Sequence, residues 1–214
     1  TSGAMLLALH PDAAQSLSQA FAEGAVDKTY LAVVRGTPPD EGLVDAPLRR
    51  QAEDNESHDA APTLRTARTW FRRRATAELP FRVDRYPTSR YSLVEARPET
   101  GRRHQIRRHL KHLSHPVIGD TTYGKSAHNR AFEEHFGSRR LLLACVGLRF
   151  LHPASGLEME IQAPIEGDFL HVVRLLGWES SLPPPWLPAA APDSFPVRAL
   201  DTPDPLLRRR GPTV

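Results

Sequence analysis

The sequence contains almost no cysteine, and this shortage excludes one class of stabilising bond. Only one of its 214 residues is a cysteine, Cys145, so no internal disulfide can form. Cys145 lies in the apolar stretch LLLACVGL without an activating neighbour, which indicates a buried thiol rather than a nucleophile. A chain without disulfides is typical of a reducing compartment, and we expect the cytoplasm.

Long hydrophobic runs are also missing. No apolar stretch approaches the roughly 20 residues that a membrane-spanning helix needs. The segment MLLAL near the amino end is too short for a signal-peptide core and has no charged leader or cleavage site. With 214 residues and 40% hydrophobic content, the chain is long enough for one well-packed domain. We expect a monomer that does not bind membranes.

Lysine is rare, with three residues against 25 arginines, and the net charge is only +3. The bias toward arginine is open to a second explanation, genomic base composition. Its clustering is still informative, because the planar guanidinium suits phosphate contacts. RNA is a more plausible partner than duplex DNA, although composition alone does not decide between them. The clusters are Arg72–Arg74, Arg102–Arg103, Arg107–Arg108 and Arg139–Arg140.

Hydrophobic periodicity and turn residues predict an α+β fold with a mainly antiparallel sheet and flanking helices. A polar stretch at 49–62 is expected to be a surface loop. Nine of the twenty prolines lie in residues 181–214, which predicts a disordered or loosely attached tail after a domain of residues 1–180. The predicted strands are 5–9, 29–35, 63–74, 91–97, 140–151 and 158–162, and the predicted helices are 12–23, 129–136 and 168–176.

A short basic helix is predicted to follow the glycine turn at Gly101. Ile106, Leu110 and Leu113 recur at i, i+4 and i+7 and form an apolar stripe. Arg107 falls on the border of this stripe. A guanidinium there needs an acidic or phosphate partner, because an unpaired buried charge is costly. The solvent-facing residues of this helix are expected to be His104, Arg108, Lys111 and His112.

This helix carries the pattern Gly-Arg-x-His-Gln-Ile-Arg-x-His at residues 101–109, which resembles a branch of the pseudouridine synthases, enzymes that isomerise uridine within RNA. The resemblance covers roughly residues 1–178. It implies a long mixed sheet with flanking helices, a central RNA-binding cleft, and chemistry without a metal or other cofactor. Further matching segments are KTYLA at 28–32, HPVIGD at 115–120 and LHP at 151–153.

The family's catalytic aspartate precedes a Thr-Ser-Gly sequence, and Thr1, Ser2 and Gly3 resemble the end of that motif. The resemblance therefore puts the aspartate three residues before Thr1, outside these 214 residues. We expect the parent protein to be an enzyme and the 1–214 polypeptide to be inactive.

The resemblance also assigns roles to residues of this chain. Arg107 pairs with the catalytic carboxylate and lowers its pKa. Tyr30 packs on the target uracil and assists removal of the C5 proton, although the residues alone favour a core tyrosine of a strand. Ile106 and Leu143 are expected to line the uracil pocket. The remaining residues expected to bind the substrate are Lys28, which would otherwise be solvated, and Arg103, His104, Gln105 and Arg108.

The substrate that the resemblance implies is tRNA, with the uridine at position 65 as the target. Residues 125–137 are the segment expected to recognise it, through Arg130, His135, Phe132 and Phe136; as an alternative, the phenylalanines belong to the core.

Three other functions stay open: a non-catalytic RNA-binding module, a synthase that acts on ribosomal RNA, and a zinc site. The zinc site is disfavoured because His104 and His109 would lie about 140° apart around a helix.

Overall fold

A computed structural model of the chain describes residues 1–50, 63–80, 82–83 and 85–189. Two short 3₁₀ turns, Glu179–Ser181 and Pro184–Trp186, follow the last α-helix. None of the helices in these ranges is long and apolar enough to cross a membrane. The other elements are β1 (Ser2–Gly3), α1 (Pro11–Glu23), β2 (Asp27–Arg35), β3 (Glu41–Asp45), β4 (Leu48–Arg49), β5 (Leu64–Arg65), β6 (Arg68–Leu79), β7 (Ser89–Pro98), α2 (Gln105–His112), α3 (Ser126–Phe136), β8 (Leu143–Leu151), β9 (Glu158–Gln162) and α4 (Gly167–Leu175).

The main sheet has the strand order β1-β8-β2-β7-β6-β3, and β9 also pairs with β8. Every pair is antiparallel except β1 with β8. A separate hairpin consists of β4 and β5. The fold is therefore the predicted α+β class, with a mixed and mainly antiparallel sheet.

Alternation along β2 divides the core between the two faces of this sheet. Leu31 and Val33 face one side, where α3 and α4 pack. Ala32 and Val34 face the other side, where α2 packs through its predicted apolar stripe. The helix α1 covers a third cluster on β8. Both faces of the central strand are thus buried, and α2 packs over β6 and β7 on the second face. Side chains of α2, α3 and α4 in these clusters are Ile106, Leu110, Phe132, Phe169, Val172 and Val173.

Most predicted helices and strands are present, but the strand predicted at 5–9 is wrong. Only Ser2–Gly3 pairs with β8, and the amide of Ala4 still donates to the carbonyl of Cys145 at 2.9 Å. Beyond that point Met5 and Leu7 are 77% and 78% exposed. The apolar run therefore reflects a partly exposed connection to α1, not a strand.

The single strand predicted at 63–74 is also wrong. The chain pairs first with β4 through β5 and then crosses to the main sheet as β6, which continues to Leu79. One straight strand cannot pair with β4 in the hairpin and also with the strands of the main sheet. Of the loop predicted at 49–62, Arg49 belongs to β4, and residues 51–62 lie outside the described ranges.

The prediction of a loosely attached tail from residue 181 needs correction at its start. Leu182 and Trp186 are each 7% exposed and belong to the α3–α4 side of the core. The indole of Trp186 donates to the side-chain oxygen of Gln162 at 3.0 Å. Apolar burial of a tryptophan outweighs the high proline content here. Packing extends through residue 187, and residues 190–214 lie outside the described ranges.

Candidate active site

The start of α2 is fixed by a buried glutamine. Its side-chain oxygen accepts hydrogen bonds from the Thr100 hydroxyl at 2.7 Å and the Arg102 amide at 3.1 Å. Its amide nitrogen donates to the carbonyl of Arg68 at 2.9 Å. This residue is Gln105, predicted to bind substrate; both ends of its side chain are occupied by the protein, and it is 4% exposed. Gln105 therefore joins α2 to β6 and shapes the turn at residues 100–102.

The partner that Arg107 requires is Asp120. The guanidinium donates through Nε at 2.7 Å and Nη2 at 2.8 Å, one bond to each carboxylate oxygen. The amides of Thr122 and Tyr123 also donate to this carboxylate, at 2.9 and 2.8 Å. Burial alone would raise the pKa of Asp120, but these hydrogen bonds lower it below its ordinary value, and the same pair raises the pKa of Arg107.

The loop that carries Asp120 depends on a glycine. Gly119 has φ +77°, and a Cβ there would lie 1.8 Å from the carbonyl oxygen of Arg140. Asn129 of α3 secures the same loop, because it accepts from the Gly119 amide at 2.9 Å and donates to the Asp120 carbonyl at 3.0 Å. The α3 helix therefore contributes to the site by holding the partner of Arg107.

Tyr123 is a site residue that the sequence analysis did not single out. Its ring lies 5.0 Å from the Arg107 guanidinium carbon and 5.7 Å from the Lys111 ammonium. Its hydroxyl is 3.3 Å from Nδ1 of His104, which was expected to face solvent and is only partly exposed. The sequence feature that could have identified Tyr123 is its position three residues after Asp120 in the same turn.

A pocket of about 260 Å³ opens in front of Arg107, on the sheet face that α2 covers. It brings together seven of the nine residues predicted as catalytic or substrate-binding. The other two, Arg103 and Arg108, line a neighbouring groove. Within the described part of the chain, none of the residues that line the pocket carries a carboxylate. They are Thr1, Lys28, Tyr30, Pro98, Thr100, Gly101, Arg102, His104, Gln105, Ile106, Arg107 and Leu143.

Two strand residues face this pocket from β2. Burial raises the pKa of Tyr30 well above its ordinary value, and a hydrogen bond with Cys145 adds to the shift, so the phenol stays protonated at neutral pH. Lys28 is only 7% exposed and donates to the Val26 carbonyl at 2.7 Å, so the alternative of a solvated lysine is wrong. Burial lowers the pKa of Lys28.

The amino-terminal strand brings Thr1 to the edge of the pocket. β1 runs parallel to β8, with Ser2 opposite Ala144 and Gly3 opposite Cys145. A Cβ on Gly3, where φ is +95°, would lie 2.0 Å from the carbonyl oxygen of Cys145. The absence of a side chain at this glycine permits the close approach that directs Thr1 toward Arg107.

The histidines of the basic segment do not assemble a metal site. His109 is fully buried, with its ring nitrogens 2.9 Å from the Thr69 hydroxyl and 3.0 Å from the Ala46 carbonyl. Nδ1 of His115 lies 2.9 Å from the carbonyl of Arg35. Among the residues that the structure describes, no three His, Cys, Asp or Glu side chains are grouped to hold a metal ion.

In the segment proposed to recognise tRNA, the phenylalanines belong to the core. Phe132 is fully buried, and its ring lies 4.7 Å from that of Tyr91 and 4.8 Å from that of Phe136. Arg130 and His135 are exposed. Any contact of this helix with RNA is therefore polar.

Residues 1–112 match the family model described as RNA pseudouridylate synthase. The chain is 44% identical over 187 residues to tRNA pseudouridine synthase C of Pectobacterium carotovorum subsp. carotovorum, covering 86% of this chain and 49% of that protein. It is 41% identical to tRNA pseudouridine synthase C of Salmonella typhi, covering 86% of this chain and 71% of the relative. The chain thus spans about half the length of the first relative and more of the second.

Two human structures share the fold. RNA Pseudouridylate Synthase Domain Containing 4 superposes with a TM-score of 0.59 at 23% identity, covering 81% of this chain and 70% of that chain. For RNA Pseudouridylate Synthase Domain Containing 1, the TM-score is 0.56 at 24% identity, with coverages of 77% and 69%. At this level of identity the likeness concerns the arrangement of the sheet and helices.

Proposed function

The chain belongs to the RNA pseudouridylate synthase family, and from this premise we propose that the protein converts a uridine of tRNA to pseudouridine in the cytoplasm. The observation that carries the proposal is the pocket in front of Arg107. It is lined by residues of the motif helix, by Tyr30 of β2 and by Thr1 next to the amino-terminal strand. The names of the relatives support tRNA as the substrate.

The reaction breaks the bond between C1′ and N1, turns the base and joins C1′ to C5. A carboxylate nucleophile makes this possible by forming a covalent intermediate, at base C6 or sugar C1′. The described residues that line the pocket include no carboxylate. We place the nucleophile on the residue three positions before Thr1. Thr1 lines the pocket, and three residues of chain reach at most about 11 Å, so such a side chain has access to the cavity.

Arg107 would orient this nucleophile and stabilise its ionised form. A guanidinium has five N–H donors, and the pair with Asp120 engages two of its nitrogens, which leaves donors for a second carboxylate. A cation within hydrogen-bonding reach lowers a carboxyl pKa and keeps the nucleophile charged. Asp120 acts as a positioning residue, because its two bonds fix the plane of the guanidinium.

The opposite side of the pocket suits a pyrimidine base. Ile106 and Leu143 are buried apolar residues of the α2-side core, and both line the cavity. Tyr30 adds an aromatic face beside them. A base detached from its sugar would be held there by apolar packing, away from bulk water. Because burial keeps the Tyr30 phenol protonated, we assign it the packing role and no role as a phenolate base.

The test uses tRNA tritiated at uridine C5 and measures tritium release, which accompanies the new bond to C5. We expect release by a protein extended at its amino end to include the aspartate three positions before Thr1, and none by the 1–214 polypeptide. Equal release by both would place the nucleophile within residues 1–214 and overturn this assignment.

The position of the target requires a second measurement. Pseudouridine mapping of total RNA from cells that lack the gene should show loss at tRNA position 65. Loss of a ribosomal site with tRNA unchanged would instead make the protein a ribosomal RNA synthase. Binding of RNA by the extended protein without tritium release would make it a binding module.

A further inference from the structure

The proton that leaves C5 of the uracil needs an acceptor in the pocket. The phenol of Tyr30 stays protonated, and a guanidinium does not give up its proton at neutral pH. We propose that His104 is the base that takes the C5 proton, through Nε2 of a neutral imidazole. The proposal rests on the proposed function for the reaction itself, and it adds a catalytic residue to that reaction.

The backbone of His104 is strained. Its φ of 56° and ψ of 26° lie in the left-handed region, at the residue that precedes α2. Among the described residues, Ser114 is the only other non-glycine residue with a positive φ. A histidine rarely adopts this conformation, and residues held in it cluster at sites where the position of the side chain matters. His104 meets that description, because it lines the cavity in front of Arg107.

One ring nitrogen of His104 is held by the protein, and the other is available to a ligand. Nδ1 lies 3.3 Å from the hydroxyl of Tyr123, and the two rings meet edge to face with centroids 5.7 Å apart. If the proton is on Nδ1 and is donated to the Tyr123 oxygen, the lone pair of the imidazole is on Nε2. Within the described ranges no group hydrogen-bonds to Nε2. A uracil in the cavity therefore meets the basic nitrogen of the ring.

The charges around His104 keep the imidazole neutral until it accepts a proton. Partial burial lowers its pKa from the ordinary 6.5, and nearby arginines lower the pKa further, whereas Asp120 acts in the opposite direction. Neither Tyr30 nor Lys28, which face the cavity from β2, supplies a negative charge that would stabilise an imidazolium. The arginines that lower the pKa are Arg107, Arg103 and Arg108.

Lys28 is the other side chain of the pocket that could accept a proton. Its ammonium donates to the Val26 carbonyl at 2.7 Å, a bond that favours the charged form. Burial lowers the pKa of Lys28, but from an ordinary value of 10.5, whereas an imidazole starts at 6.5. A base is most effective when its pKa lies near the working pH, so His104 is the better acceptor.

The step assigned to His104 follows formation of the bond between C1′ and C5. The C5–H bond breaks, its electron pair restores the C5–C6 double bond, and the proton moves to Nε2. The pair displaced from C6 leaves with the carboxylate if the adduct is at C6; if the adduct is at C1′, that pair moves to N1, which takes a proton. The imidazolium then lies beside Arg107 and returns its proton to solvent, because like charges in contact repel each other.

Two substitutions suit the left-handed backbone at this position. Asparagine tolerates a positive φ and carries an amide near the place of Nδ1, so His104→Asn retains a partner for Tyr123 without a base. His104→Gly removes the ring and relieves the strain. In the protein extended at its amino end, each should slow single-turnover tritium release at saturating tRNA about 10²-fold or more, with the Kd for tRNA close to that of the wild type. The matched control is His112→Asn on the exposed side of α2, which should leave release unchanged.

Three readouts distinguish a base from a residue that only supports the fold. Added imidazole should restore release by His104→Gly and not by His104→Asn, because only the glycine variant has room for a second ring. With tRNA deuterated at uridine C5, His104→Asn should show a larger isotope effect on product formation than the wild type, since proton transfer has become slow. The wild-type rate should fall at acid pH with a midpoint below the ordinary imidazole pKa, and His104→Asn should lack this decrease.

The outcomes separate this proposal from the proposed function. Release by His104→Asn at the wild-type rate, or no rescue of His104→Gly by imidazole, would overturn the role of His104 alone. No release by the wild type would overturn the enzymatic function together with its base. Thermal unfolding at the wild-type temperature shows that a variant is folded. If a variant does not fold, the wild-type profile decides: a rate that stays constant from about pH 6.5 down to the pH of unfolding would overturn the role of His104.

Discussion

The arginines of β6 and those around α2 look alike in the sequence and differ in their partners. On β6, Arg72, Arg73 and Arg74 each form an ion pair with an acid of a neighbouring strand or loop. Around α2, Arg102 and Arg108 donate instead to backbone carbonyls, those of Thr66 and Arg49. A run of arginines in a sequence therefore predicts phosphate binding only if the fold places no carboxylate opposite it. The acids that pair with the β6 arginines are Glu41, Asp40 and Glu95.

Arg107 shares one feature with each of these two groups of arginines. Like the β6 arginines it has a carboxylate partner, and like Arg102 and Arg108 it lines a cavity. Its side chain is 13% exposed, against 48% for Arg72. Electrostatic interactions strengthen as water is excluded, so a charge at this position acts more strongly on a ligand than one on β6.

The largest effect is expected from Arg107→Ala in the protein extended at its amino end. Turnover of tRNA should fall at least about 10³-fold, because the nucleophilic carboxylate would lose the cation that keeps it ionised and oriented. Arg107→Lys retains the charge without the planar fork and should also be severely impaired. Single-turnover tritium release at saturating tRNA measures both.

The contrast with the surface arginines provides the control for that prediction. Arg108→Ala should mainly weaken tRNA binding, and Arg72→Ala should change neither binding nor turnover. Equal and mild losses in Arg107→Ala and Arg108→Ala would mean that α2 is only an electrostatic surface. Circular dichroism should exclude unfolding, since Arg107→Ala leaves Asp120 buried without its cation.

Asp120 and Glu95 provide a matched comparison, because both carboxylate side chains are fully buried and paired with arginine. Asp120→Asn and Glu95→Gln should each reduce the free energy of unfolding by about 3 kcal/mol. Only Asp120→Asn should also reduce turnover by more than the loss of folded protein explains, because Arg107 faces the pocket. If Glu95→Gln impairs turnover as strongly, the pairing of Arg107 has no special role.

The pH dependence of stability tests the same pair. Because the pKa of Asp120 is lower in the folded state, its contribution is present above the unfolded pKa, about 3.9, and is lost as pH falls through the folded value. The difference in unfolding free energy between wild type and Asp120→Asn should stay constant from pH 5 to 8 and shrink below about pH 4. Urea unfolding at a series of pH values measures it, and a difference that shrinks between pH 6 and 8 would contradict the assignment.

Local periodicity was enough to predict α2 and its place in the core. The spacing of Ile106 and Leu110 puts both side chains on one face of the helix, and the structure buries them against β2 and β7. The border position of Arg107 was likewise sufficient to predict that it needs an anionic partner. These features depend on residues within two helical turns, so the sequence contains them directly.

Features that depend on distant residues could not be predicted in the same way. Asp120 is thirteen residues from Arg107, and only the turn at Gly119 and its bond to α3 bring the pair together. Arg49 and Arg65 reach the motif helix because a hairpin folds beside it. Trp186 belongs to the core although the proline-rich sequence around it predicted a loose tail.

The smallest effect is expected from the ionisation of Tyr30. This residue lies on the buried face of β2, in contrast to the exposed arginines. Burial raises the pKa of this phenol well above its ordinary value, so it should remain protonated throughout the pH range in which the protein is stable. The ratio of kcat/KM between wild type and Tyr30→Phe should therefore be constant from pH 7 to about pH 9.5. Tritium release measured at half-unit intervals of pH checks this. A ratio that rises with pH, with a midpoint below about pH 9, would show that a phenolate forms in the pocket and would give Tyr30 the role of a base instead of a packing surface.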